Sequence, residues 1–165
     1  MGIWIAIFIT LVVAGSILWV KPSVREQRLS RLRTKALAQG FKVRLLDMKL
    51  AAQLFPWLEN YRGYVFYEKS VPPHLKPKNH KARVIRVSED IHAHEIDQID
   101  PLKQLLADRI GYDSLPESVE ALVISVSGIS VLWSERNTSD DMREIGALDD
   151  FLNRCLQLPE LWQAE

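Results

Sequence analysis

Residues 120–135 read EALVISVSGISVLWSE, and their pattern decides the fold. Two runs of aliphatic, β-branched and aromatic residues flank Ser127-Gly128, a pair suited to closing a two-residue hairpin turn. With that turn Val126 faces Ile129, Ile124 faces Val131 and Leu122 faces Trp133, so every pair on one face is apolar. A one-residue slip would set Ser opposite these positions, which favours the register. A hairpin with one apolar face needs a cover. Downstream, Met142, Ile145, Leu148, Leu152, Cys155 and Leu156 recur at helical spacing. Before them stand Thr138, Ser139, Asp140 and Asp141, which offer N-cap oxygens and first-turn acids. The expected helix lays its stripe across the hairpin.

Upstream, Phe41-Lys42-Val43-Arg44-Leu45 alternates with period two, and Tyr64 to Glu68 and Ala82 to Val87 are rich in aromatic or β-branched residues. All three read as strands. Pro101 to Arg109, after Asp100 and ahead of Gly111, reads as a short helix presenting Leu102, Leu105 and Leu106. Strands with helices between and after them, and no repeated βαβ alternation, predict an α+β domain over residues 41–165, with a mainly antiparallel sheet packed with helices. Residues 70–81, SVPPHLKPKNHK, hold prolines that stop regular structure and Lys76, Lys78 and Lys81. They read as a basic loop, either a solvated connection or a contact for headgroups or a partner.

Ile3 to Val20 reads IWIAIFITLVVAGSILWV without a charge. At ~1.5 Å per residue it makes a helix of about 27 Å, close to the ~30 Å hydrocarbon core of a bilayer. Residues 1–20 are therefore expected to form a transmembrane anchor, with Trp4 and Trp19 in the two interfaces. Only Met1 and Gly2 precede the apolar run, which argues for a retained anchor over a cleaved signal peptide. Lys21, Arg25, Arg28, Arg31, Arg33 and Lys35 all follow it, so the positive-inside rule predicts an inner-membrane, single-pass protein with its N-terminus outside and its domain cytoplasmic. Lone Cys155 suits a reducing compartment, and a small apolar residue on a packed helix face is its simplest reading.

Ser23-Val24-Arg25-Glu26 fits the capping box and Gly40 the C′ position, so residues 21–40 predict a basic juxtamembrane helix. Leu29, Leu32 and Ala36 share one stripe, beside Arg28, Arg31 and Lys35. Such a helix either lies on anionic lipid headgroups or serves only to set topology. The whole chain balances 21 basic against 21 acidic side chains, but residues 21–50 hold nine basic against two acidic, a net +7, and the remainder carries the compensating −7. No aromatic residues interleave with these charges, so nucleic acid is not an expected partner.

One span, then Lys21-Pro22, a basic helix, and Gly40 followed by a strand to Leu45 form a layout that resembles the YajC-type accessory subunit of the bacterial preprotein translocase. The match covers residues 1–45, and the resemblance implies an accessory role at the membrane. Similarity to short membrane-anchored bacterial proteins likewise implies a location and no activity.

Titratable residues cluster at 88–97, where an extended backbone aims His92 and His94 to one side among carboxylates. A His-x-His pair can ligate a transition metal, and the alternative is an acidic surface segment. The chain carries no Gly-rich phosphate loop, no Gly-x-Ser-x-Gly elbow, no CxxC and no HExxH, so no catalytic residue and no cofactor are expected. Two aromatic groups, Phe55 with Trp57 and Tyr61, and Trp162 in the terminal segment, are candidate protein interfaces or else ordinary core. The leading expectation is a membrane-anchored accessory or adaptor protein that binds membrane or cytoplasmic protein partners of an envelope complex. A tethered metal protein or enzyme using His92 and His94, and an anionic-lipid sensor, are the alternatives.

Overall fold

The computed structural model describes residues 2–19, 22–78, 82–87, 101–135 and 141–164. The elements run α1 (Gly2–Trp19), α2 (Val24–Ala38), β1 (Lys42–Leu45), α3 (Met48–Leu54), β2 (Tyr64–Ser70), β3 (Leu75–Pro77), β4 (Arg83–Arg86), α4 (Pro101–Arg109), β5 (Val119–Ile124), β6 (Gly128–Ser134), α5 (Asp141–Leu156) and β7 (Trp162–Ala164). The chain divides into two units, Met1–Arg31 and Leu32–Glu165.

In the larger unit the described strands build a five-stranded antiparallel sheet in the order β1-β2-β6-β5-β4, and β3 and β7 pair separately. The class is α+β, with helices on both faces of the sheet. On the first face Leu32 and Ala36 of α2, Leu106 of α4, and Ile145, Leu148, Phe151, Leu152 and Cys155 of α5 cover Val65, Tyr67, Ile129, Val131 and Trp133. On the second face Ala51 of α3 and the following Phe55 cover Phe66, Leu132, Ala121 and Val123. Strands β2, β5 and β6 are thus buried on both sides, which is why they read as nearly continuous apolar runs. An irregularity between Val119 and Ala121 shifts the pairing to β6 and lets Val119 and Leu122, three positions apart, join the same core.

The hairpin forms in a different register from the expected one. Ile124 pairs with Ile129 and Leu122 with Val131, while Ser125 and Gly128 exchange backbone hydrogen bonds around Val126-Ser127. The slip is two residues, which preserves the face each side chain points to. Ser125 Oγ lies 2.9 Å from Ser127 Oγ and donates to the Gly128 carbonyl at 3.1 Å, bracing the tip. Gly128 is needed in the sheet instead of in the turn. A Cβ there would stand 2.2 Å from the Lys69 carbonyl oxygen of β2.

Helix α2 starts at the expected capping box: Ser23 N–H donates to Glu26 Oε2 (2.7 Å) and Glu26 N–H to Ser23 Oγ (3.2 Å). It ends where Phe41 N–H donates to Ala36 O and Gly40 N–H to Leu37 O, both at 3.0 Å, with Gly40 at φ +82°. This paired closure needs the left-handed conformation that glycine adopts without strain. One other expectation changes. The proline-rich loop contributes β3, because Leu75–Pro77 finds a partner in β7 at the chain's other end. Helix α3, for which no local pattern was singled out, is capped by Asp47, whose carboxylate accepts from Leu50 N–H at 2.8 Å.

The membrane reading is overturned. Among the described residues no helix is long and apolar enough to cross a membrane. Helix α1 runs for 18 residues, Gly2–Trp19, and no described helix combines the length and the apolar character that a bilayer crossing needs. The single-pass transmembrane helix, the inner-membrane location and the N-out/C-in orientation that depended on that span are therefore withdrawn. In the larger unit, the apolar stripe expected to face lipid belongs to the core, for Leu32 and Ala36 are 1% and 0% exposed.

Candidate functional site

Sequence spacing places Arg33 three residues before Ala36 and four after Leu29, so it emerges within the apolar stripe of α2. Its guanidinium meets Glu135, at the end of β6, through Nε to Oε1 at 2.9 Å and Nη2 to Oε2 at 2.5 Å. Tyr67 of β2 donates its hydroxyl to the same Oε1 at 2.7 Å. Glu135 is almost fully buried, and its carboxylate accepts from the charged Arg33 guanidinium and from the Tyr67 hydroxyl. The hydrogen bond to Glu135 raises the Arg33 pKa further, and Tyr67 is pushed far above the usual phenol range by burial first and by Glu135 second. The tyrosine is a fixed neutral donor.

Two residues along β2, on the same face, Lys69 Nζ lies 2.5 Å from Asp149 Oδ1 and donates to Asn153 Oδ1 at 2.7 Å, both on α5. Asn153 in turn donates to Asp149 Oδ2 at 2.9 Å, and the Lys69 ammonium sits 5.4 Å from the Phe41 ring centroid. On the opposite face Arg44 of β1 pairs with buried Glu68 at 2.5 Å. Each network ties a covering helix or edge strand to the central β2 or β6. Their charges are mutually satisfied, so they act as positioning pairs and offer no poised nucleophile. Cys155 is likewise quiet, because burial pushes its thiol up to about 12.

The residues singled out in the sequence are dispersed. Trp4 is 74% exposed on α1, and Trp19 is that helix's last residue. Lys21, His92 and His94 lie outside the described residues, as does the whole 88–97 cluster. Arg25 and Arg31 are exposed, Arg28 and Lys35 are half-buried, and Arg33 is turned to Glu135. Of the aromatic candidates, Phe55 is 1% exposed and packs against Trp57 and Phe66 at ring separations of 5.6 and 5.7 Å. Trp57 and Tyr61 are half-buried beside it, with the Arg86 guanidinium 5.5 Å from the Trp57 ring. Trp162 is 4% exposed and donates Nε1–H to Cys155 O at 3.0 Å. Phe55 and Trp162 are thus core residues with no surface to offer a partner.

The described surface also carries exposed apolar groups. On α1 Ile3, Trp4, Phe8 and Leu11 are each 65–74% exposed, and Ile5, Ile7, Ile9, Val12 and Val13 are exposed as well, so no side of this helix is polar. At the edge of the sheet Leu45 is 66% exposed and Met48, at the start of α3, is 64% exposed. Sequence reasoning passed over the second group because a four-residue strand with basic residues does not announce which side is left unpaired.

The larger unit is thus an α+β domain built on a five-stranded antiparallel sheet filled on both faces, with Arg33–Glu135, Arg44–Glu68 and Lys69–Asp149 as ion pairs tying its elements together. A comparison with protein-family models, curated proteins and solved structures finds no match.

Proposed function

We propose that this chain is an accessory or adaptor protein that binds protein partners, with α1 as its attachment element and the α+β domain as the body it presents. The observation that supports this is the exposure of apolar side chains all around α1. A helix apolar on every side gains stability only where apolar surface from another molecule covers it. Each large side chain covered contributes ~1.5–3 kcal/mol, so a few suffice to hold a partner.

The test uses the tagged full-length chain, cross-linked in cells, against a variant carrying Phe8→Asp and Leu11→Asp, with co-purified proteins quantified by mass spectrometry. A defined set of proteins recovered with the parent and lost with the variant supports the reading. The same set with both chains, or none with either, overturns it.

A further inference from the structure

The sheet order places β1 at an end, with β2 as its only neighbour among the described strands. Leu46 N–H donates to Tyr64 O at 3.2 Å, directly opposite in the register that pairs Arg44 with Phe66 and Lys42 with Glu68. In an antiparallel ladder hydrogen-bonded positions alternate, so Lys42, Arg44 and Leu46 bond inward to β2. The N–H and C=O groups of Val43 and Leu45 therefore point out of the sheet. Among the described residues no strand pairs along this side, and Lys42, Arg44 and Leu45 are all exposed.

Side chains alternate across the same strand. Arg44 reaches Glu68 on the second face, and Lys42 shares that face by period two. Val43 packs against the first core, and Leu45 lies on its side, 66% exposed. An incoming strand would thus meet the Lys42 ammonium and the Arg44–Glu68 pair on one face and aliphatic groups on the other. Lys49 of α3 adds an exposed cation nearby in sequence, and Asp47 is engaged as the cap of Leu50. A second copy of β1 fits poorly, since it would bring Lys42 and Arg44 against their own counterparts.

We propose that the outer edge of β1 receives, as an added strand, an extended segment of a partner protein in which acidic and aliphatic residues alternate. This rests on the accessory reading above and names the chemistry of the partner. Backbone hydrogen bonds to Val43 and Leu45 supply the affinity, while an acidic position facing Lys42 sets the register, Arg44 being held by Glu68.

The test titrates the purified full chain with a labelled peptide of alternating Glu and Val, and with its alternating Lys and Val counterpart. The Glu/Val peptide binds, the Lys/Val peptide binds at least about tenfold more weakly, and added salt weakens the first. Leu45→Pro removes an outward N–H while leaving the bonds to β2, and lowers affinity about tenfold, as does Lys42→Glu. Hydrogen exchange at the Val43 and Leu45 amides slows on adding the Glu/Val peptide. Equal affinity for both peptides, undiminished affinity in Lys42→Glu, or unchanged exchange at saturating peptide would overturn the proposal, whether or not Leu45→Pro folds. Partners captured in cells through α1 with no peptide bound at β1 would leave the accessory reading standing without the edge. An absence of captured partners would sink that reading itself.

Discussion

Arg33 and Glu135, 102 positions apart, form a two-pronged ion pair in which both carboxylate oxygens accept from one guanidinium. The carboxylate is 3% exposed and the guanidinium 35%, so the pair straddles the boundary between core and solvent. Arg33→Ala strands the buried carboxylate with only Tyr67 as donor. We expect a loss of about 2–3 kcal/mol, below the full cost of breaking a wholly buried pair because Arg33 is partly hydrated. Tyr67→Phe removes one hydrogen bond and is expected to cost about 1–2 kcal/mol. Urea denaturation of both single variants and the double variant checks this, and additive losses would show that the three groups do not act as a unit.

Gly128 and Gly146 respond to the same substitution in opposite directions. A Cβ at Gly128 would stand 2.2 Å from the Lys69 carbonyl oxygen and 3.0 Å from its carbon, both backbone atoms. Gly128→Ala must therefore part β2 from β6, at an expected cost of about 2–3 kcal/mol. A Cβ at Gly146 meets nothing within 4 Å, and the residue lies inside α5. Gly146→Ala is expected to stabilise by about 0.5–1 kcal/mol. Melting temperatures of the two variants should move to opposite sides of the parent.

Cys155 couples the core to alkaline pH. Its thiol is pushed from 9.0 up to about 12 by burial, so the folded state holds its proton where the unfolded state has released it. This contribution to stability is complete below pH 9 and declines as pH rises from 9 towards 12. Tyr67, shifted in the same direction, adds a decline that starts near pH 10. Chemical denaturation at stepped alkaline pH should show falling stability, with a shallower slope in Cys155→Ala. A thiol reagent at pH 8 should label Cys155 only after denaturant is added.

Phe55 and Trp162 test core against interface directly. Each is expected to cost about 3–5 kcal/mol on replacement by Ala, through lost burial and the cavity left behind. Conservative Phe55→Leu should recover much of that while leaving partner recovery in cells unchanged. Loss of partners with a fully stable fold would instead place Phe55 at a contact surface.

Much of the architecture was legible because it is written at short range. The capping box at Ser23 and Glu26, the closing glycine at position 40, and the helix between Asp100 and Gly111 are local patterns, and the elements form where those patterns stand. The hairpin was legible as to face but not as to register. A two-residue slip leaves every side chain on its side, so hydrophobic alternation cannot distinguish the two pairings. The serines at the tip and the approach of Lys69 to Gly128 decide it.

The apolar N-terminal run illustrates the opposite case. Its composition suggested a span, whereas no described helix has the length and apolar character to cross a bilayer. Of the basic residues on α2, Arg33 alone among the predicted membrane-facing set is held by Glu135, and its position within the stripe was the available clue. The partner carboxylate lies in a different part of the chain, and no local pattern points to it. The pairing of β3 with β7 and the edge position of β1 have the same origin.

By itself the sequence determined where helix α2 begins and stops, roughly where α4, α5 and the main strands lie, and which of their faces are apolar, because propensity, capping and periodicity act over a few residues. Only the tertiary structure decided which apolar face meets which, that the sheet is covered on both sides, which cation finds a buried carboxylate and which strand edge is left open. Those outcomes depend on contacts between residues tens of positions apart. They are settled by packing volume and charge pairing among elements, not by the order of residues within any one of them.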